Sequence, residues 1–211
     1  MSVASFLSTA PPPPRPARVS FEEYYAAEQK AETRSEFIDG IVRPIGDPYE
    51  LDMAGASEDH LAVTSVLGEV VNPRLRALGK CRFRDQDTQI PIPEHNLYTY
   101  PDGVIACPPR FATRPKGALL NPKVIFEVLS PSTEGYDRGD KFRFYRSLET
   151  LEEYVLVSTR ELIVEVFPRS SAWAVRTYEG FEGVARLESV GLELPLRELY
   201  ADMAFSEASE D

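Results

Sequence analysis

Asp102, Glu127 and Lys141 have the residue types and the spacing for chemistry on a phosphodiester. Glu127 interrupts the apolar run Val124-Ile-Phe-Glu-Val-Leu129. A carboxylate buried without compensation costs on the order of several kcal/mol, or titrates to neutral. A metal ion is the first candidate for that compensation. Asp102, in Tyr100-Pro-Asp102, precedes Glu127 by 25 residues. If the two sit on adjacent strands, as sequential strands usually do, they repel unless they share a proton or a cation. Hard divalent ions such as Mg²⁺ or Mn²⁺ take one or two carboxylates plus waters and substrate phosphate. The backbone carbonyl of Val128, beside Glu127, can add a ligand. Lys141 follows Glu127 by 14 residues, and its ammonium can orient a water or stabilise charge developing on the phosphate. Each residue also has an ordinary reading: Asp102 as a turn aspartate, Glu127 as the partner of a core arginine, and Lys141 as a solvated helix residue.

These three must be positioned by a small set of elements. Ser20 is a fair N-cap for a helix from Phe21 to about Thr33. Glu36-Phe-Ile-Asp39-Gly40-Ile-Val42 reads as a hairpin, because Asp-Gly tolerates the positive φ that a tight two-residue turn demands. Pro44 to Ala56 reads as an irregular loop or an interrupted strand. Ser57 caps a helix to about Leu78, with Pro73 as a kink or a break. Strands are expected over 81–92, over 97–107 with Asp102 in its middle, over 123–129 and over 154–158. A helix over 137–148 joins the last two. Segments 164–167 and 173–178 form an antiparallel extension, and 192–200 closes the fold with a short helix at Leu196. The expected domain is residues 20–200, flanked by a disordered Pro-rich tail over 1–19 and an acidic tail over 201–211.

The chain has 211 residues, 43% of them hydrophobic and 27% charged, which is ordinary for a globular protein. It contains no apolar run long enough to span a bilayer, and its first residues make a poor secretory signal. Cys81 and Cys107 lack metal-site spacing and read as buried, reduced thiols, hence a cytoplasmic protein without membrane partners. The net charge of −11 argues against a general nucleic-acid coat, whose affinity comes from Lys and Arg. Between Arg110 and Arg146, however, eight basic residues face four acidic ones, a local +4.

At these residues the chain resembles the Uma-two family of restriction-endonuclease-like proteins, within the PD-(D/E)XK nuclease superfamily. The resemblance covers about Phe21 to Tyr200. Its signatures are Glu36-Phe-Ile-Asp-Gly40, Met53-Ala-Gly-Ala-Ser57 with His60, Tyr100-Pro-Asp102, Glu127-Val-Leu-Ser-Pro-Ser-Thr133, Tyr136-Asp-Arg-Gly-Asp-Lys141 with Tyr145, Glu153-Tyr-Val-Leu-Val157 and Leu194-Pro-Leu196. It implies an α/β, restriction-endonuclease-like mixed β-sheet flanked by helices, with an added antiparallel extension. It also implies a divalent-metal site for DNA cleavage, with Asp102 and Glu127 as the superfamily's carboxylates. The superfamily lysine does not carry over in place, since Leu129 stands two residues after Glu127. Lys141, on the following helix, takes its role. Gly103 stands where a branched apolar residue is commoner, so a looser strand is expected there. The loop from Pro44 to Leu51 is a few residues longer than usual.

Glu36 is a secondary candidate, as an acidic ligand approaching from the side or as a surface salt bridge. His60 can bind phosphate or donate to a carboxylate, or serve a structural helix-cap or hydrogen-bond role. Tyr136, Arg138 and Arg143 are candidate contacts to the DNA backbone, and Tyr145 is either another such contact or, with Phe142 and Phe144, helix-to-sheet packing. A homodimer is expected for cutting both strands of a two-fold duplex. The alternative is a nuclease-fold binding or scaffold protein that retains the carboxylates but does little chemistry.

Overall fold

Every residue of Val124–Val128 is buried. The reason is its place in a six-stranded sheet, where it runs between two other strands and is covered on both faces. The computed structural model describes residues 17–45, 58–79 and 81–203. In chain order the elements are α1 (Phe21–Glu28), β1 (Ser35–Ile38), β2 (Ile41–Pro44), α2 (Glu58–Leu78), β3 (Arg82–Asp85), β4 (Ile90–Ile92), β5 (Leu97–Thr99), β6 (Gly103–Ala106) and β7 (Val124–Val128). A crossover helix follows in three parts: α3 (Glu134–Tyr136), a π-helical turn (Asp137–Lys141) and α4 (Phe142–Tyr145). Then come β8 (Glu153–Val157), β9 (Ile163–Pro168), β10 (Arg176–Glu179), β11 (Val184–Leu187), β12 (Leu192–Pro195) and α5 (Leu196–Leu199).

The large sheet has the order β10-β9-β8-β7-β6-β3. Only its β7–β8 pair is parallel, because the crossover helix separates those two strands and a parallel pair needs such a connection. A second sheet has the order β2-β1-β5-β4, and β11 pairs with β12 alone. The fold is therefore mixed α/β with helices flanking its sheets, as expected. One apolar cluster joins α2 (Val63, Leu67, Val71, Leu75) to Phe126, Val128 and the β11–β12 hairpin. The other joins Ile125 and Leu156 to Tyr145, Tyr154, Ile90 and Leu97.

Local chemistry explains much of this. Ser20 and Glu23 form a reciprocal capping box on α1, though the helix ends at Glu28, short of Thr33. Asp39 and Gly40 adopt φ of 46° and 87°, the two positive values that a tight hairpin between β1 and β2 requires. The expected strands over 81–92 and 97–107 are each split. Their first-to-last pairing is kept, β3 with β6 and β4 with β5, but the two pairs belong to different sheets. One long hairpin is thus folded across both sheets, and Pro101, which has no N–H to donate, lies at the break. Asp102 consequently sits at the entrance to β6 and not in mid-strand. Helix α2 runs through Pro73 without interruption. Arg74 Nη1 donates to the Val70 carbonyl at 2.9 Å in the adjoining turn. The expected strand from Trp173 starts only at Arg176, since Ala172 and Trp173 both have positive φ.

Two further expectations are corrected. Cys81 and Cys107 are not free thiols but a disulfide, with Cα atoms 4.1 Å apart. The β3–β6 ladder ends on Arg82↔Ala106, so the cysteines are the next residues out, facing each other across the two strands. The sequence argument for a reducing compartment goes with the thiols. Nor is β6 loose at Gly103: a Cβ there would meet the Phe83 ring at 2.7 Å and Leu67 at 3.3 Å, so the ring fills the space a branched side chain would take. Among the described residues no helix is long and apolar enough to cross a membrane. The Pro11–Pro16 run, Met53–Ser57 with its cap, and Ser206–Asp211 lie outside the described residues.

Candidate active site

The antiparallel register of β6 and β7 begins at Gly103↔Phe126, so the residues one step beyond, Asp102 and Glu127, face each other. Asp102 Oδ2 accepts the Val128 backbone N–H at 2.7 Å, and His60 Nε2 lies 3.3 Å from the same oxygen. The aspartate is thereby fixed between the end of β7 and the first turn of α2. Burial disfavours the His60 imidazolium, but its hydrogen bond to Asp102 and the charges of Asp102 and Asp137 outweigh that and raise its pKa. Of the roles open to His60 in the sequence, the structure shows the hydrogen bond to a carboxylate.

Glu127 turns toward the crossover helix. Its Oε1 lies 2.9 Å from Lys141 Nζ and accepts the Tyr145 hydroxyl at 3.0 Å. Lys141 Nζ also lies 3.4 Å from Asp137 Oδ1. The π-helical turn spans both Asp137 and Lys141, and such turns recur at functional sites. Glu127, Asp137 and Lys141 are only 2%, 3% and 8% exposed. The charge that compensates Glu127 inside the chain is therefore Lys141, helped by a phenol.

One ammonium does not balance the carboxylates around it. Burial, then Asp137 and Asp102, push the Glu127 pKa well up against the pull of Lys141. Burial and Asp102 likewise raise Asp137. Burial disfavours the Lys141 ammonium, yet Glu127, Asp137, Tyr145 and Glu36 overcome this and hold its pKa well above the usual value. Lys141 is thus a fixed cation, suited to stabilising negative charge and not to accepting a proton. The remaining negative surplus on hard oxygen donors is the electrostatic condition that attracts a divalent ion. Among the described residues, no three His, Cys, Asp or Glu side chains are grouped to hold a metal ion. A site here would draw on two carboxylates with backbone and water oxygens.

Glu36, on β1, is not a surface salt bridge. It is buried, accepts from the Thr99 hydroxyl, and accepts the Tyr136 hydroxyl at 3.2 Å. Tyr136 therefore spends its hydroxyl inside the protein. Arg138 pairs with Glu134 at 2.8 Å and Glu165 at 2.5 Å, and Arg143 pairs with Asp140 at 3.1 Å on the surface. Tyr145 takes the packing role between helix and sheet and is fully buried against Glu127. Sequence reasoning missed Asp137 as a site residue. Its signal was the four-residue spacing to Lys141, which stacks an acid and a base on one helix face. A cleft of about 270 Å³ opens beside the cluster and is lined in part by Glu36, Arg43, Tyr100, Tyr136, Asp137 and Lys141.

Residues 21–197 match the Uma2 family, described as "Putative restriction endonuclease". The chain is 30% identical over 201 residues to the uncharacterized protein slr1290 of Synechocystis sp. (strain ATCC 27184 / PCC 6803 / Kazusa), covering 94% of this chain and 100% of that one. It is 38% identical over 136 residues to sll1609 of the same organism, also uncharacterized, covering 64% of this chain and 72% of that one. Its fold resembles the crystal structure of a putative nuclease of the DUF820 group from Anabaena variabilis ATCC 29413. That likeness has a TM-score of 0.60 at 17% identity, over 81% of this chain and 92% of the other.

Proposed function

The chain belongs to the Uma2 family, and we propose that it is a metal-dependent endonuclease that hydrolyses phosphodiester bonds of DNA. The observation that carries this reading is the concentration of Glu127 and Asp137 around the Lys141 ammonium, with Asp102 facing Glu127 across β6 and β7. Asp102, Glu127 and the Val128 carbonyl are the groups that would hold Mg²⁺ or Mn²⁺. Bound there, the ion would supply Lewis acidity toward the phosphate and a more acidic water. In the reaction, a water gives up a proton to bulk solvent as its oxygen bonds to phosphorus in line with the departing ester oxygen. The phosphorus–oxygen ester bond breaks, and the leaving alcohol takes up a proton. Lys141 stays protonated and faces the charge gathering on the phosphate. His60 and the Val128 N–H hold Asp102 in place, while Tyr145 fixes Glu127.

The test is nicking of supercoiled plasmid in Mg²⁺ or Mn²⁺ by wild type, Asp102→Ala, Glu127→Ala and Lys141→Ala. The reading expects wild type to cut and each variant to lose at least about a hundredfold in rate, the scale of removing one preorganised electrostatic group. Equal cutting by all four preparations, or none on any nucleic acid tried, ends it for this site.

One observation favours a second reading, a binding or scaffold protein on a nuclease fold. Glu127 already has an ammonium at 2.9 Å and a phenol at 3.0 Å, so its burial does not by itself demand a metal. Calorimetry separates the two: a folded wild type that takes up no Mn²⁺ supports the scaffold.

A further inference from the structure

We propose that the cleft beside the carboxylate cluster receives one unpaired nucleotide of a single strand, with the Arg43 guanidinium on its phosphate. This rests on the nuclease reading of the cluster. The first argument is access. Glu127 and Lys141 are almost fully buried, and the cleft reaching Lys141 and Asp137 measures about 270 Å³. That is just under the roughly 300 Å³ at which clefts for drug-sized ligands begin, the scale of one unpaired nucleotide, and a duplex would reach it only from the rim.

The second argument is its walls. Tyr100 and Tyr136 line it together with Pro44 and Ile45. Aromatic side chains beside a cation are the means by which proteins hold single strands without reading sequence. The Tyr136 hydroxyl is tied to Glu36, which fixes the ring.

The third argument is Arg43. It stands directly opposite Glu36 across the β1–β2 pair and lines the cleft from β2. Several other arginines are spent on carboxylates: Arg34 on Asp87, Arg114 on Glu22, Arg138 on Glu134 and Glu165, Arg143 on Asp140. Among the described residues Arg43 makes no ion pair. A guanidinium with its fork free matches two phosphate oxygens at once.

A fourth observation bears on the rival substrate. Of the eight basic residues behind the local +4, Arg114, Arg138, Lys141 and Arg143 are paired with carboxylates of the chain. Half of this basic stretch is thus paired within the chain, whose net charge is −11. One strand per site also needs no two-fold partner.

The experiment measures fluorescence anisotropy of a labelled single-stranded oligonucleotide and of its blunt duplex. It uses the full chain in EDTA, so that binding is read whether or not the protein cuts. Wild type, Arg43→Lys and Arg43→Ala are compared after circular dichroism confirms equal folding. The proposal expects the single strand to bind at least tenfold more tightly than the duplex. It expects Arg43→Ala to lose at least fivefold of single-strand affinity, and Arg43→Lys to recover part of it. Equal binding of the duplex, or an unchanged Arg43→Ala, overturns it. Cleavage of the same oligonucleotides in Mn²⁺ is scored separately. A protein that binds the single strand through Arg43 but never cuts defeats the nuclease reading and leaves the strand site standing.

Discussion

The two faces of β7 are made by alternate residues of one five-residue strand, yet they follow different rules. Val124, Phe126 and Val128 join the cluster shared with α2, where contact is non-directional and volume is what counts. Ile125 and Glu127 face the other way, and around Glu127 the packing is settled group by group: one ammonium, one phenol, two neighbouring aspartates. The apolar face holds the strand in place whatever the pH. The charged face costs stability and is tolerable only while its cation remains, which is the usual bargain where a buried ion pair serves chemistry.

The sharpest way to break this contrast is to truncate one residue on each face. Lys141→Ala leaves Glu127 and Asp137 buried without their cation and should lower unfolding stability by about 3–5 kcal/mol at pH 7. Both carboxylates have folded-state pKa values raised above their ordinary 4.5 and 3.8. Such groups destabilise above the unfolded pKa, and that cost fades as pH falls through the folded one. The Lys141→Ala deficit should therefore shrink between pH 7 and pH 5. Phe126→Ala should lose a similar amount, about 3–5 kcal/mol, with no pH dependence over that range. Urea unfolding at a series of pH values reads both, and a flat Lys141→Ala profile would sink the electrostatic account.

A smaller effect sharpens the charged face. Tyr145→Phe keeps the ring in the core and removes only the donor to Glu127, for an expected loss of about 1.5–3 kcal/mol, typical of a hydrogen bond to a charged group. No measurable loss would mean that Lys141 alone sustains Glu127. The smallest effect is at the rim. His60 has a raised pKa beside Asp102, so its charge stabilises fully below its unfolded value near 6.5 and is lost as pH rises through the folded one. His60→Gln keeps a donor without the charge, and its deficit in thermal melts should appear at pH 6 and vanish at pH 9.

What the sequence disclosed followed from rules that act over a few residues. A charge inside an apolar run marked Glu127, Asp-Gly marked the hairpin, and Ser20 marked a helix start. What it concealed depends on strands that meet from afar. Alternation along 81–92 and 97–107 does not say that the pair bends at Pro101 into a second sheet, so Asp102 was placed in mid-strand. The Cys81–Cys107 bond follows from the β3–β6 register, which neither cysteine reveals alone. The β11 strand went unread because Val184-Ala-Arg-Leu187 is short and weakly patterned. Asp137 was taken as a helix-start residue, since nothing local says that Lys141 will turn inward and bring it along.

The π-helical turn from Asp137 to Lys141 has an evolutionary consequence. Successive residues of an α-helix are rotated by about 100°, so the direction of the lysine depends on how many residues precede it in the helix. Substitutions nearby would leave that count intact. Losing or gaining one residue between Thr133 and Lys141 would swing the ammonium away from Glu127 in a single step. Descendants of this chain could thus lose their cation through a change of length while every residue that marks the site remained in place.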